Sequence, residues 1–195
     1  MSDVSRLMSI INTEDKNVSI ANSAVTVNTT TPQIIPLPTV AQGTSSSTRI
    51  GDSVLVNMID MELTFQYSGL AATATYANQH FRYWLVRYKK TPASSGTTPF
   101  SITEFLNLDA GGNATPMSLP NTDTNENFQI MDVGEVECVL PTLGSAALVK
   151  SVTKTIRHKC HYHEEYNGSA SANICDNMSF LVVVALNGTN TGSLS

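Results

Sequence analysis

The sequence has few charged residues for a folded protein. Only 14% of its 195 residues are Asp, Glu, Lys or Arg, against about 25% in an average soluble domain. Because exposed helix faces are usually built from Glu, Lys, Arg and Gln, this scarcity argues against a helix-rich protein. A disordered chain would carry more charge and less apolar content than the 41% found here. The composition therefore indicates a folded, β-rich domain.

Cysteines and long apolar runs are also scarce. The three cysteines, Cys138, Cys160 and Cys175, are an odd number with no close pair, so we expect reduced, mostly buried thiols in an intracellular product. The longest apolar run, Phe180–Leu186, has seven residues, against about 20 in a membrane helix. Met1–Ile11 lacks the pattern of a signal peptide. We therefore expect no contact with a membrane.

Ser, Thr and Asn are abundant, at 60 residues together, and strand patterns follow one another along the chain. In the first pattern Leu55, Leu63, Phe65 and Tyr67 share the odd positions, which predicts one buried face. The last pattern lacks alternation, which predicts burial on both faces. The predicted strands are 53–68, 81–88, 128–140 (with a break near Gly134), 151–166 and 179–186. The class is predicted as all-β, an antiparallel sandwich or jelly roll.

Helical signals are confined to two short stretches. Val4, Leu7, Met8 and Ile11 recur at helical spacing, which predicts a short N-terminal helix. The residues from Ser101 to Glu104 fit a capping box before a short loop helix. Between these helices, residues 12–48 are poor in charge and contain Pro32, Pro36 and Pro38, which favour an extended arm. We predict a helix and arm over 1–48, with a strand at Val18–Val27, and an ordered, β-rich domain over 49–195.

Motifs of catalysis are missing, and we predict that the chain is not an enzyme. No nucleophile elbow, phosphate loop or dinucleotide motif occurs. His161 and His163 point to one strand face and are weak candidates for a metal, with Glu165 on the same face as in cupin-type enzymes. Alternation puts His158 and Cys160 on the other face, so a solvated or interface strand is the preferred interpretation.

Pairs of carboxylates are a second hint of a bound ion. Residues two apart on a strand share a face, and hard oxygen ligands suit Ca²⁺ at a subunit contact. Ordinary exposed carboxylates are the preferred alternative, so no cofactor is predicted. The pairs are Asp60 with Glu62, Glu135 with Glu137, and Glu164 with Glu165.

Basic residues concentrate in one strand. Lys150, Lys154, Arg157 and Lys159 precede the first acid, Glu164. Such a strand is suited to contact phosphates. A charged outer face is an equal alternative from spacing alone.

Several short motifs follow one another over most of the chain. They are Arg49-Ile50-Gly51-Asp52, Phe81 to Arg87, Gly96 to Pro99, Glu104 to Asn107, Phe128 to Asp132, Glu137-Cys138 and Tyr166 to Gly168. In this collinear order they resemble the coat proteins of small icosahedral plant viruses, that of satellite tobacco necrosis virus among them. The related coats of small circular single-stranded DNA viruses share part of the pattern, and the coat family implies that residues 49–195 are a jelly-roll shell domain.

The resemblance implies a single eight-stranded jelly roll that assembles into an icosahedral shell around viral single-stranded RNA or DNA. The subunit would be made in the host cytoplasm or nucleus and reside in the virion. On this reading we expect nucleic-acid contacts from Arg6, Arg49, Lys154, Arg157 and Lys159. The alternative is a carbohydrate- or receptor-binding jelly-roll module that forms a small oligomer.

Two departures from the family pattern change what we expect. Residues 1–48 hold only Arg6 and Lys16 as bases, whereas the family usually has a basic arm that neutralises nucleic acid. The sequence ends at Ser195, about where the family's last strand begins. Either a C-terminal strand is missing from this sequence, or another segment, such as Val18–Val27, covers the exposed sheet edge.

Overall fold

Eight β-strands make up most of the described chain in the computed structural model. Residues 18, 25–27, 32–43, 48–49, 51–70, 78–92, 99–140, 147–166, 175–186 and 192–194 are described. The strands are β1 (Val25–Val27), β2 (Gln33–Pro36), β3 (Ser53–Leu70), β4 (Asn78–Tyr88), β5 (Phe128–Val139), β6 (Ala147–Glu165), β7 (Ser179–Ala185) and β8 (Gly192–Leu194). Between β4 and β5 lie a short helix, α1 (Ile102–Phe105), and a 3-10 turn at Asn125–Asn127. The predicted all-β class is confirmed.

The strands form two four-stranded antiparallel sheets. Sheet A has the order β1-β8-β3-β6, and sheet B has the order β2-β7-β4-β5. The pairing is nested, because β1 pairs with β8, β2 with β7, β3 with β6 and β4 with β5. The chain is therefore arranged as one long antiparallel ribbon, whose closed end is the connection from β4 to β5.

The first core lies between the two sheets, where alternate side chains of each strand point inward. Phe65 of β3 packs against Phe81 and Tyr83 of β4, with ring centroids 5.3 and 6.0 Å apart. The predicted alternation of β3 is confirmed over its second half. A bulge between Val56 and Met58 reverses the alternation, so Leu55 pairs with the exposed His163. Our expectation that Leu55 shares the buried face was wrong for this reason.

The second core covers the opposite side of sheet B. Trp84 of β4 contacts Phe105 of α1 edge to face, with centroids 5.9 Å apart. Phe100 contacts Phe180 of β7 in the same way at 5.3 Å. Every residue of β7 is buried, which confirms the prediction from its unbroken apolar run. Residues 99–128 thus form a lid over sheet B.

Two local details of this region differ from the prediction. Ser101 precedes α1, but its side chain makes no capping bond to the helix backbone. Glu104 instead accepts hydrogen bonds from Tyr88 Oη and Asn127 Nδ2, at 3.0 and 3.1 Å. The capping box was therefore wrong, because tertiary partners take the carboxylate. β5 is unbroken at Gly134.

The segment before residue 49 contributes to both sheets. β1 lies at the edge of sheet A and β2 at the edge of sheet B. The last described residues form β8, which pairs with both β3 and β1, so β8 itself covers β3 and Val25–Val27 covers β8, which differs from the expectation that an earlier segment closes the edge of β3. The predicted boundary at residues 48 and 49 does not separate these strands from the rest. The predicted helix near Val4 lies outside the described residues.

Candidate functional site

The basic residues predicted to contact phosphates lie mainly on β6, the edge strand of sheet A. Lys154, Arg157 and Lys159 are all exposed there. Arg157 and Lys159 are two positions apart, so they point to the same outward side of the sheet. Their cross-strand partners on β3 are Asp60 and Met58. The strand thus presents two cations on one open face.

Arg157 forms an ion pair with a carboxylate on the neighbouring strand, β3. Its Nη2 and Nε atoms lie 2.8 and 2.9 Å from Asp60 Oδ2. The Arg157 and Asp60 side chains are 67% and 38% exposed, and an exposed ion pair contributes about 0.2–1 kcal/mol. Lys159 has no ion pair within the described residues. A phosphate would therefore meet one unpaired cation and one weakly paired cation.

Lys154 projects from the other side of β6. It lies opposite the buried Leu63 and two positions from the buried Ile156, yet it is exposed. A lysine stem can cover apolar surface while its ammonium stays in water. A charge at this place also opposes pairing of the edge strand with another chain. Lys154 therefore lies around the sheet edge from Arg157 and Lys159.

Arg49 is buried and bound within its own chain, so its assignment to a nucleic-acid face was wrong. It is 3% exposed. Its guanidinium donates to the carbonyl oxygens of Val40 and Gly51 and pairs with Asp52 Oδ1 at 3.3 Å. It also lies 4.0 Å from the ring centroid of Tyr166. Arg6 lies outside the described residues.

The two candidate metal-binding histidines are exposed on the outward side of β6. His163 Nδ1 shares a hydrogen bond of 2.9 Å with Ser53 Oγ. In the described part of the chain, no group of three or more His, Cys, Asp or Glu residues is placed to hold a metal ion. His161 and His163 thus lack a third ligand of these types within that part.

The carboxylate pairs considered for Ca²⁺ are engaged or separated. Glu135 lies within 3.6 Å of Arg82 and 3.4 Å of His80, and Glu137 accepts from Asn78 Nδ2 at 2.7 Å. Asp60 binds Arg157, as described above. Glu164 and Glu165 are consecutive strand residues, so one is buried and the other exposed.

Glu164 is a buried carboxyl, so our expectation that it is an ordinary exposed carboxylate was wrong. It is 5% exposed. Tyr166 Oη donates to Glu164 Oε2 at 3.2 Å, and the Cys175 thiol also hydrogen-bonds to the carboxylate. Burial raises the pKa of Glu164 to about 7, and the two hydrogen bonds act in the opposite direction. The carboxyl therefore titrates near neutrality.

Tyr166 links this carboxyl to the segment that follows β2. The backbone N–H of Val40 donates to Tyr166 Oη at 2.9 Å, and Tyr166 N donates to the carbonyl of Asp52 at 2.7 Å. Burial raises the pKa values of Tyr166 and Cys175 above their ordinary values. Both groups therefore stay neutral at physiological pH, and they act as hydrogen-bond donors to Glu164.

The signal for this network was present in the strand alternation. Glu164 has the parity of Tyr162 and Tyr166, which are both buried, and the opposite parity to Glu165. The expectation of free, mostly buried cysteines is confirmed, since Cys138 and Cys175 are buried and Cys160 is partly exposed. Proximity of Cys175 to Glu164 could not be read from the sequence, because it comes with an isolated bridge between the neighbouring residues Asp176 and Glu165.

A groove of about 390 Å³ lies beside the lid over sheet B. Its apolar lining includes the side chains of Phe105 and Phe128. The polar lining consists of the amide groups of Asn121 and Asn125, the Glu126 carboxyl and the Lys89 ammonium. The full lining is Lys89, Phe105, Pro120, Asn121, Asn125, Glu126, Phe128 and Ile130.

No family model matches the chain, and a search of curated proteins finds no match. The resemblance to viral coat proteins therefore rests on the motifs quoted above. Helices are short in the described part of the chain, and none there is long and apolar enough to cross a membrane.

Proposed function

We propose that the chain is a non-enzymatic coat subunit that assembles into an icosahedral shell around a viral nucleic acid. The observation that carries this proposal is the nested pairing of eight strands in two sheets. Two four-stranded sheets built from Greek keys are the plan of a jelly roll, a fold common in viral capsids. We therefore assign the fold as a single jelly roll. The collinear motifs support the same family.

Exposed apolar side chains support a subunit contact on one side of sheet B. Met117 and Leu119 are 77% and 65% exposed, and Ile130 and Val133 of β5 are 42% and 46% exposed. The loop that carries Met117 is held against sheet B, because Arg82 Nη1 donates a hydrogen bond of 2.8 Å to the carbonyl oxygen of Pro116. Grouped apolar surface of this kind favours protein contacts. Neighbouring copies in a shell would cover it.

The nucleic-acid contact in this proposal is made by β6. Arg157 and Lys159 face outward together, and Lys154 lies around the edge of the same strand. Arg6, in the N-terminal segment, is included on its charge alone. Contacts of this type are salt-sensitive, because each cation that meets a phosphate releases a counterion.

The proposal is tested by expressing the full chain and imaging the purified product by cryo-electron microscopy. We expect closed shells with an absorbance ratio at 260 and 280 nm that indicates packaged nucleic acid. Salt should release part of that nucleic acid. A monomer under all conditions of pH and ionic strength, with no shells in the images, would contradict the proposal.

The groove beside the lid favours a second candidate, a carbohydrate- or receptor-binding module. Asn121, Asn125 and Glu126 offer hydrogen-bonding groups next to Phe128, a combination suited to a sugar ring with polar edges and apolar faces. Binding of a small soluble oligomer to a glycan array would favour this candidate. Loss of that binding in Asn125→Ala would place it at the groove.

A further inference from the structure

We propose that Glu164 is the titrating group of a pH-sensitive latch that fastens residues 40–43, with Arg49, to the end of β6. The latch is closed when the carboxyl is protonated and loosened when it is ionised. This inference concerns the folded subunit alone and does not depend on the proposed function.

The geometry of the latch joins three separate parts of the chain. Val40 N donates to Tyr166 Oη, and Tyr166 Oη donates to Glu164. The thiol of Cys175, which precedes β7, forms a hydrogen bond with the same carboxyl. The Tyr166 phenol thus connects the backbone of Val40 to the Glu164 carboxyl.

The described residues on either side of Tyr166 are bonded to one another and to Tyr166. Arg49 N donates to the carbonyl of Ala41, and Gly43 N donates to the carbonyl of Arg49, both at 2.9 Å. The Arg49 guanidinium packs on the Tyr166 ring, and the carbonyl of Asp52 accepts the Tyr166 backbone N–H. Displacing the Tyr166 ring would therefore release its contacts with Val40 and Arg49.

Other titratable and charged groups pack against the network from every side. The phenols and thiols have pKa values raised by burial, so they remain neutral at pH 6–8. No ion pair joins Glu164 to Lys or Arg within the described residues. The groups are Arg49 and Asp52 before β3, Arg87 on β4, Cys160, Tyr162 and Tyr166 beside Glu164, and Cys175 with Asp176 before β7.

The direction of the pH effect follows from the burial of Glu164. Its pKa is about 7 in the closed form and 4.5 for an ordinary glutamate. A raised pKa means that the closed form binds the proton more tightly, so closure is favoured at low pH. That stabilisation is complete below pH 4.5 and is lost as pH rises through 7. An ionised Glu164 is a buried charge, and opening relieves its desolvation.

The test compares two buried thiols of the same chain. Cys175 and Cys138 are both 0% exposed, but only Cys175 touches the latch. Labelling the full-length protein with a thiol reagent from pH 6 to 8 yields the ratio of the Cys175 and Cys138 rates, which removes the reagent's own pH dependence. We expect the ratio to rise about tenfold for a carboxyl with these two pKa values.

Two variants separate the latch from a general effect of pH. Glu164→Gln cannot ionise, so its ratio should stay flat between pH 6 and 8. Glu165→Gln removes the neighbouring exposed carboxyl and should keep the wild-type rise. A flat wild-type ratio, or the same rise in Glu164→Gln, would overturn the proposal.

A second measurement covers the case in which Glu164→Gln does not fold. The protection factor of the Val40 amide in wild-type protein reports the same opening by hydrogen exchange. It should fall about tenfold between pH 6 and 8, in step with the thiol ratio. Unchanged protection across that range would overturn the latch.

Discussion

At the scale of single residues, Gly134 shows how one position is set by its neighbour. It lies in β5 directly opposite Tyr83 of β4. A Cβ atom on Gly134 would lie 2.7 Å from Tyr83 Cε1, well inside contact distance. Tyr83 is 1% exposed, so its ring has little room to move. Glycine is needed at this position because a Cβ atom would overlap the Tyr83 ring.

We predict that Gly134→Ala destabilises the fold. Forcing a methyl group into a packed site of this kind costs about 1–3 kcal/mol. Urea denaturation followed by tryptophan fluorescence measures the change. Gly51→Ala is the matched control, because a Cβ there meets nothing within 4 Å. Equal loss of stability in both variants would show that the ring contact is not the cause.

At the scale of elements, the four-residue helix α1 matters for what it covers. An isolated helix of this length would not form in water. Its persistence depends on Phe105, which packs against Trp84 and Phe128 with centroids 5.9 and 5.1 Å away. Glu104 of the same helix binds Tyr88 of β4. Sheet B and its lid therefore stabilise each other.

We predict that Phe105→Ala unfolds the lid and weakens the whole domain. Phe105 is 2% exposed, and removing a buried phenylalanine side chain costs about 3–5 kcal/mol. Thermal unfolding and proteolysis of the lid region would both report the loss. Met117→Ala, in the same lid but 77% exposed, should change stability little. Retained protease resistance in Phe105→Ala would contradict the prediction.

At the scale of the whole molecule, the net charge of −5 is at odds with a nucleic-acid container unless the cations are segregated. Lys154, Arg157 and Lys159 lie on one edge strand of sheet A. Acidic Glu135 and Glu137 lie on β5, the edge strand of sheet B. Separation of charge between edges lets an acidic chain present a local basic surface.

We predict that Arg157→Ala combined with Lys159→Ala lowers the nucleic acid content of assembled shells. Both cations lie on the outward side of β6, so their loss should also reduce the salt sensitivity of packaging. The absorbance ratio at 260 and 280 nm of purified shells is the readout. Lys89→Ala with Lys90→Ala is the control, because these exposed lysines follow β4 in the other sheet. Unchanged packaging in the β6 variant would remove these two residues from the proposed contact.

Local patterns predicted individual elements well and their partners poorly. The alternation of Leu63 with Thr64 and the unbroken run of β7 each led to the correct burial. Arg49 was misplaced because a charged residue in a polar stretch has no sequence signal for burial. Its guanidinium is satisfied by Val40 and Tyr166, and the latter is more than a hundred residues away.

The scarcity of charge and the two-residue alternation were enough to establish an all-β class, because side-chain periodicity follows directly from strand geometry. The burial of Glu164 was missed, because we expected an ordinary exposed carboxylate at that position. Only the tertiary structure decided the nested strand order, the reversal at the β3 bulge and the contact of Glu164 with Tyr166 and Cys175. Those features depend on which distant segments meet. Such meetings are decided by packing over the whole molecule, which no local pattern encodes.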